Sequence, residues 1–212
     1  TEKWFGNIPQ RNITKTELPT EPKQCGYRHE ETIQNVPHDK IVMTFHMCDH
    51  LHPDFHTYDL MSDLLSNGQS SRLTQNLVRK KQIFTMADAY ISGSIDPGLF
   101  TLTGKLCNET KLEDAEKSIW EEIEKIKQGE ISEYELEKVK NRFESTTIFN
   151  NMNYLNLATN LALYENICDA NLLNTIVEKY RKTTKEDVIR VANETFTEEN
   201  CSVLYYRKRA TK

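Results

Sequence analysis

From Ile41 to Cys48 the chain alternates. Ile41, Met43, Phe45 and Met47 fall on one side, and Val42, Thr44, His46 and Cys48 on the other. A period of two with one wholly apolar side predicts a strand with a buried face. The period changes at Pro53, which is placed to open a helix in its first turn. Phe55, Tyr58, Leu60, Met61, Leu64 and Leu65 then recur at helical spacing until Asn67-Gly68 stops the run. The spacing predicts a second helix over 70–81, with Leu73, Leu77 and Val78 inward. Two more strands, 83–92 and 99–107, are joined as a hairpin through Asp96-Pro97-Gly98.

After Asn108 the pattern is helical. Thr110-x-x-Glu113 and Ser132-x-x-Glu135 both read as capping boxes. The first opens a stripe of Leu112, Ala115, Ile119, Ile123 and Ile126 that ends near Gly129, and the second opens a helix carrying Leu136, Val139 and Phe143. Further helices are predicted over 154–165, 171–180 and 184–196, the last with Val188, Val191, Ala192 and Phe196 inward. A final alternation over 201–206 closes the chain with a strand. This order predicts an α+β fold, a mixed or antiparallel sheet covered on one face by helices. Upstream, Trp4-Phe5-Gly6-Asn7-Ile8-Pro9 reads as a short apolar anchor, and 10–36, with Pro19, Pro22 and Gly26, as an extended linker. Residues 1–36 are therefore expected to be the end of a preceding domain plus a linker, and 37–212 a C-terminal domain.

Composition narrows the class. At 212 residues, 37% hydrophobic and 28% charged, the chain is long enough for one sizeable soluble domain. A net charge of −5 with the basic residues dispersed among acids argues against a nucleic-acid surface; Arg207-Lys208-Arg209 reads as a solvated tail. No apolar run approaches the roughly 20 residues of a membrane span. The polar start lacks a signal peptide, and Thr1 in place of Met points to a processed or excised chain. Five cysteines without a C-x-x-C pair fit reduced thiols in a cytoplasmic protein.

Four of the six histidines lie in His46-Met47-Cys48-Asp49-His50-Leu51-His52-Pro53-Asp54-Phe55-His56, where His46 to His50 imitates a zinc-peptidase H-x-x-E-H. That motif works because a helix brings i and i+4 to one face. His46 is instead on a strand, where four residues span about 13 Å, while zinc needs nitrogens at about 2.0–2.1 Å. His52 and His56 straddle a helix start but have Phe55 where an acid would be, and Glu121, Glu122 and Glu124 offer a third ligand only because that helix is rich in glutamate. The cluster reads as loop and cap histidines, the alternative being an independent metal site on His46, His50, His52 and His56. Cys48 beside His46 or His50 lacks an orienting third group for nucleophilic chemistry. Asn67-Gly68-Gln69-Ser70-Ser71, with one glycine and no lysine, reads as a helix stop and N-cap rather than a phosphate loop. Asn12-Ile13-Thr14 and Asn193-Glu194-Thr195 are formal glycosylation acceptors.

Taken in order, "EKWFGNIP", "KIVMTFHMCDHLHPDFHTYDLMSDLLSNGQSSRLTQNLVRKKQ", "TKEDVIRVANETF" and "NCSVLYY" resemble the C-terminal half of insulinase/pitrilysin-type zinc metallopeptidases, the inverzincins, in their bacterial and mitochondrial-processing branch. The likeness spans essentially the whole chain and is most specific at "LLSNGQSSRL". It implies a metallopeptidase half-domain of the LuxS/processing-peptidase type, in which two related halves enclose a chamber and the first half holds the zinc. The counterpart of the zinc helix here is Asp59-Leu60-Met61-Ser62-Asp63, with Asp59 and Asp63 at the histidine positions and Ser62 at the glutamate. The resemblance thus implies a vestigial site and no catalytic residue. Many members carry an Arg and a Tyr in a phrase like L-R-x-K-x-G-L-x-Y; laid on "LVRKKQIFT", it puts Val78 and Thr85 there. Arg79 is one residue out of register and Tyr90 too far along.

The expectation is a catalytically silent C-terminal domain of a zinc metalloendopeptidase that closes the chamber and helps bind an unfolded peptide along a sheet edge. No cofactor is expected in this fragment; zinc belongs to an N-terminal domain of the parent, and a homo- or heterodimer partner would supply the Arg/Tyr pair. The rivals are a non-enzymatic structural or partner subunit of the same family, and a self-standing His/Cys metal-binding domain.

Overall fold

The computed structural model describes residues 2–9, 19, 21–93, 95–107 and 110–209. A short helix α1 (Glu2–Phe5) is followed by β1 (Arg28–Gln34), β2 (Lys40–His46), α2 (Phe55–Ser66), a π-helical segment (Thr74–Lys80), β3 (Phe84–Ile91) and β4 (Leu99–Leu106). Then come α3 (Leu112–Lys127), α4 (Glu133–Asn151), α5 (Tyr154–Ile167), α6 (Leu172–Lys182), α7 (Lys185–Thr195) and β5 (Cys201–Lys208). The five strands form one mixed sheet in the order β1-β5-β2-β4-β3, parallel only between β1 and β5. The α+β expectation is met.

Strand alternation produces a two-sided sheet. Ile41, Met43, Phe45, Phe84, Phe100, Leu102 and Val203 are buried under the helices. Phe196, just after α7, sets its ring edge-on to Phe45 at 4.9 Å and Phe100 at 5.1 Å, which locks the helical layer to the sheet. On the other side Val42, Thr44 and His46 are half-buried, while Met86, Tyr90 and Leu99 are exposed.

Four features depart from the sequence reading. Within the stretch read as linker, β1 pairs with β5 along its whole length, from Arg28 opposite Ser202 to Gln34 opposite Lys208. Its residues, Arg-His-Glu-Glu-Thr-Ile-Gln, do not alternate, because an edge strand held by backbone bonds needs no apolar side. The Thr110 capping box does not form: Lys111 is the N-cap, without a side-chain bond. The Thr110 amide instead turns back to the Cys107 carbonyl, and Arg207 of β5 takes the Glu113 carboxylate at 2.9 Å. The predicted 70–81 helix becomes largely π-helical, closing with a bond from Lys81 N–H to Asn76 C=O. There the Asn76 amide donates to the buried Glu122 carboxylate at 2.7 Å, tying the wide turns to α3. The apolar anchor is exposed, with Trp4 at 76% and Phe5 at 62%. The Ser132 box does form, with both reciprocal bonds.

Candidate functional site

The residues of interest lie on α2 and on the helices across it. Helical spacing puts Asp59 and Asp63 on one face, one turn apart. Asp59 accepts a hydrogen bond from the Tyr180 hydroxyl of α6 at 2.6 Å, and Asp63 accepts one from the Asn67 side-chain amide at 2.6 Å. Ser62 turns its hydroxyl back to the Asp59 carbonyl at 2.9 Å. Tyr180 is fixed from its other side by Phe143 of α4, the rings stacked with centroids 3.4 Å apart and 9° between planes.

Burial governs the protonation of this group. It raises the Asp59 carboxyl and pushes Asp63 up to about 6, where the neighbouring Asp59 adds to the effect. The Tyr180 hydroxyl is held far above its ordinary range by burial and then by Asp59, so it remains a donor. His56, at 8% exposure, sits 4.8 Å from the Tyr180 ring. Its Nδ1 finds no hydrogen-bond partner among the described residues, and burial, then Lys179 and His50, lowers it to about 4.

The histidine cluster does not converge. His46 ends β2, and its carbonyl accepts from Asn200 at 3.0 Å. His50 packs on the Phe55 ring at 4.2 Å, and His52 accepts the Asp54 amide on Nδ1 at 3.2 Å. His56 faces Tyr180. Among the described residues no group of three or more His, Cys, Asp or Glu is arranged to hold a metal ion. The acids of α3 are taken: Lys81 binds Glu121, Lys125 binds Glu122 and Lys127 binds Glu124. Burial, then Asp49 and Asp54, pushes the Cys48 thiol up to about 12, so it stays protonated and is a poor nucleophile.

Asp59 and Asp63, which the sequence resemblance sets at the ligand positions of a zinc helix, do not fit a zinc ion. Neutral imidazoles suit zinc, whereas α2 offers two carboxylates, each holding a neighbour's donor. The loop after α2 is likewise spent on structure. Gly68 turns there with φ of +94°, Gln69 accepts from Gln75 and Arg79, and Lys138 of α4 bonds Ser70. Val78 is half-buried, and Thr85 donates to the Lys105 carbonyl at 3.2 Å. Tyr180 escaped the sequence reading because no local pattern links it to Asp59, 121 residues away. Of the two glycosylation acceptors, Asn12 lies outside the described residues. Asn193 is exposed and donates its amide to the Lys127 and Ile189 carbonyls, while Thr195 is buried against Tyr58.

A separate cleft of about 850 Å³ opens at the end of β2, with His46, Met47, Tyr58, Pro97, Glu194 and Asn200 in its wall. Its polar groups are largely engaged: Tyr58 bonds Thr195 at 2.6 Å, and Gln24 bonds the Cys201 carbonyl at 2.9 Å.

Residues 1–143 match the family described as the peptidase M16 inactive domain. That is well over half of the chain, and the chain belongs to this family. It is 27% identical over 212 residues to the zinc protease PqqE of Helicobacter pylori, covering 98% of this chain and 47% of that protein. The chain thus spans about half the length of this curated relative. A crystal structure of a protease from Helicobacter pylori superposes with a TM-score of 0.88 at 27% identity, over 97% of this chain and 50% of that one. The peptidase M16 inactive domain from Pseudomonas fluorescens gives 0.77 at 15% identity, over 94% and 47%. A chain of Complex III2 from Candida albicans gives 0.72 at 13% identity, over 86% and 46%. The last two likenesses concern the fold alone. The chain is therefore an inactive C-terminal domain of the M16 zinc protease family, as the resemblance implied. No helix among the described residues is long and apolar enough to cross a membrane.

Proposed function

We propose that this domain is the metal-free half of a zinc metalloendopeptidase, where it closes the reaction chamber and helps hold an extended peptide substrate. Zinc and the water it activates would reside in a first-half domain of the parent, with the residues before β1 as the passage between the halves. The observation that carries this reading is the state of α2. The carboxylates at the two ligand positions are bound by Tyr180 and Asn67, so this half keeps the frame of a zinc site and uses it for packing.

The test is reconstitution. The purified chain alone should hold no stoichiometric zinc and leave an unstructured peptide intact, with or without added zinc. Joined to the parent's first half, it should raise chelator-sensitive hydrolysis above that of the first half alone. One tightly bound zinc per chain, with hydrolysis by this chain alone, would overturn the proposal.

A second reading is a non-enzymatic structural or partner subunit of the same family. It is favoured by Val78 and Thr85, which stand where many members carry the Arg/Tyr pair. Reconstitution would then leave hydrolysis unchanged.

A further inference from the structure

A further cavity, of about 560 Å³, lies between α3, β5 and the residue before β1. None of its wall belongs to α2 or to the groups around Asp59. Tyr27, Trp120 and Tyr205 bring three aromatic rings to it. Phe45 holds the Trp120 ring from the core, edge-on with centroids 5.7 Å apart, while Trp120 and Tyr27 keep part of their surface in solvent. All three side chains converge on one carboxylate. Glu116 accepts from the Tyr205 hydroxyl at 2.6 Å, the Tyr27 hydroxyl at 2.9 Å and the Trp120 indole N–H at 3.4 Å. Burial, and then the bond to Glu116, holds both tyrosines protonated, so they stay neutral donors.

We infer that this pocket binds a weakly hydrated organic cation, a guanidinium or an alkylated ammonium group. The first ground is the rings, since an aromatic face attracts a cation and several faces around one space form a cage. The second is charge left without a counter-ion. Glu116 is half-buried and its three partners are neutral. Among the described residues neither Glu116 nor Glu198 forms an ion pair, and the ionised groups of the wall are Glu113, Glu116 and Glu198 against Lys117. A carboxylate offers about four lone-pair positions, so Glu116 keeps one for a donor from outside. The third is an example within the chain itself. Arg207 lies over the Tyr205 ring at 5.7 Å and donates to Glu113 at 2.9 Å. A guanidinium is thus already held between a ring and a carboxylate of this wall. A lysine-type ammonium suits the site less well, because it is a compact and strongly hydrated point charge.

This binding requires nothing from the zinc half of the parent, so the chain alone suffices for the test. Trp4→Phe leaves Trp120 as the remaining tryptophan of two, and its emission reports the pocket. The probes are N-acetylarginine amide and tetramethylammonium, with N-acetylcitrulline amide as the uncharged match of the first. A saturable change is expected for at least one cation, with a Kd on the order of 1 mM, and none for the citrulline compound. Whichever cation saturates names the class of ligand. Glu116→Gln and Tyr27→Leu should each weaken binding about fivefold or more. Tyr27 is 44% exposed, so its truncation leaves the fold intact by far-UV circular dichroism. Glu186→Gln removes the same charge from the first turn of α7 and should change nothing. Silence with both cations, equal binding of the citrulline compound, full affinity in both pocket variants or an equal loss in Glu186→Gln overturns the inference.

Discussion

Tyr180 on α6 donates its hydroxyl to Asp59 on α2 across 2.6 Å while its ring lies flat on Phe143 of α4. One side chain therefore ties three helices together around a buried carboxylate. Tyr180→Phe keeps the stack and removes the donor, which leaves the acceptor without its bond. The expected loss is about 1.5–3 kcal/mol, the range for a bond to a charged group, read from urea unfolding at pH 7. A change below 0.5 kcal/mol would mean that Asp59 is solvated or paired otherwise.

Asp63 and His56 give opposite pH signatures. The folded carboxyl of Asp63 titrates near 6 against an ordinary 3.8, so its contribution is fully present below pH 3.8 and is lost as pH rises to 6. His56 titrates near 4 against 6.5, so its contribution is fully present above pH 6.5 and is lost as pH falls to 4. Asp63→Asn should raise stability at pH 7 by about 1–2 kcal/mol, discounted because the carboxylate is partly solvated. His56→Phe should flatten the acid-side decline. Urea midpoints from pH 4 to 7.5 separate the two, and parallel curves for wild type and both variants would refute the assignment.

Gln82 has φ of +53°, the left-handed region where a side chain is strained, between the π-helical segment and β3. It also stands at the glycine of the phrase on which Val78 and Thr85 fall. Gln82→Gly removes strain of about 1–2 kcal/mol and returns up to about 1 kcal/mol as backbone entropy. A net gain of about 0.5–1 kcal/mol in unfolding free energy is expected, and a loss would show that the Gln82 side chain makes a compensating contact.

Gly104 on β4 faces Phe84 so closely that an added Cβ would lie 2.5 Å from two ring atoms. Phe84 is fully buried. Gly104→Ala should cost about 1–3 kcal/mol by overpacking, measured as a fall in thermal midpoint. A neutral result would mean that the β3–β4 ribbon shifts freely.

Two Ser/Thr-x-x-Glu signatures look equivalent in the sequence, and only one forms a box. Ser132→Ala should cost about 1 kcal/mol, whereas Thr110→Ala should fall within about 0.5 kcal/mol of neutral. The same unfolding series settles both. Glu135 is free to reach back to Ser132 because Arg72, which binds it at 2.9 Å, approaches without displacing it; Glu113 is drawn off by Arg207, 94 residues distant.

That contrast marks how far the fold was legible. Periodicity located β2 to β5 and the helices α2, α3, α4, α6 and α7, each of which carries buried residues; α5 was found from its helical spacing although none of its residues is buried. It missed β1, whose place depends on backbone pairing to β5, and it read a regular helix where Glu122 holds Asn76 in wide turns. At the candidate site it found Asp59, Ser62 and Asp63, which share a helix. It missed Tyr180 and the His56 nitrogen that is buried without a partner among the described residues, because the contacts of Tyr180 with Asp59 and His56 arise only once α6 lies across α2. The histidine cluster was conspicuous for composition, whereas its side chains turn to separate neighbours: His50 to Phe55, His52 to the Asp54 amide and His56 to Tyr180.

The place of β5 carries a consequence for synthesis. It lies between β1 and β2, and among the described residues β1 has no other neighbour in the sheet. A ribosome emits β1 early and β5 late, so the first strand must wait, unpaired, while α2 to α7 are made. Long-range pairing of this kind is slow and leaves edges exposed in the meantime. The charged residues of β1, Arg28, Glu30 and Glu31, suit that interval, since they discourage stray strands from joining it. Whatever precedes Arg28 is clasped to this domain only when its last strand arrives, which makes β5 the closing stitch between this domain and the residues before it.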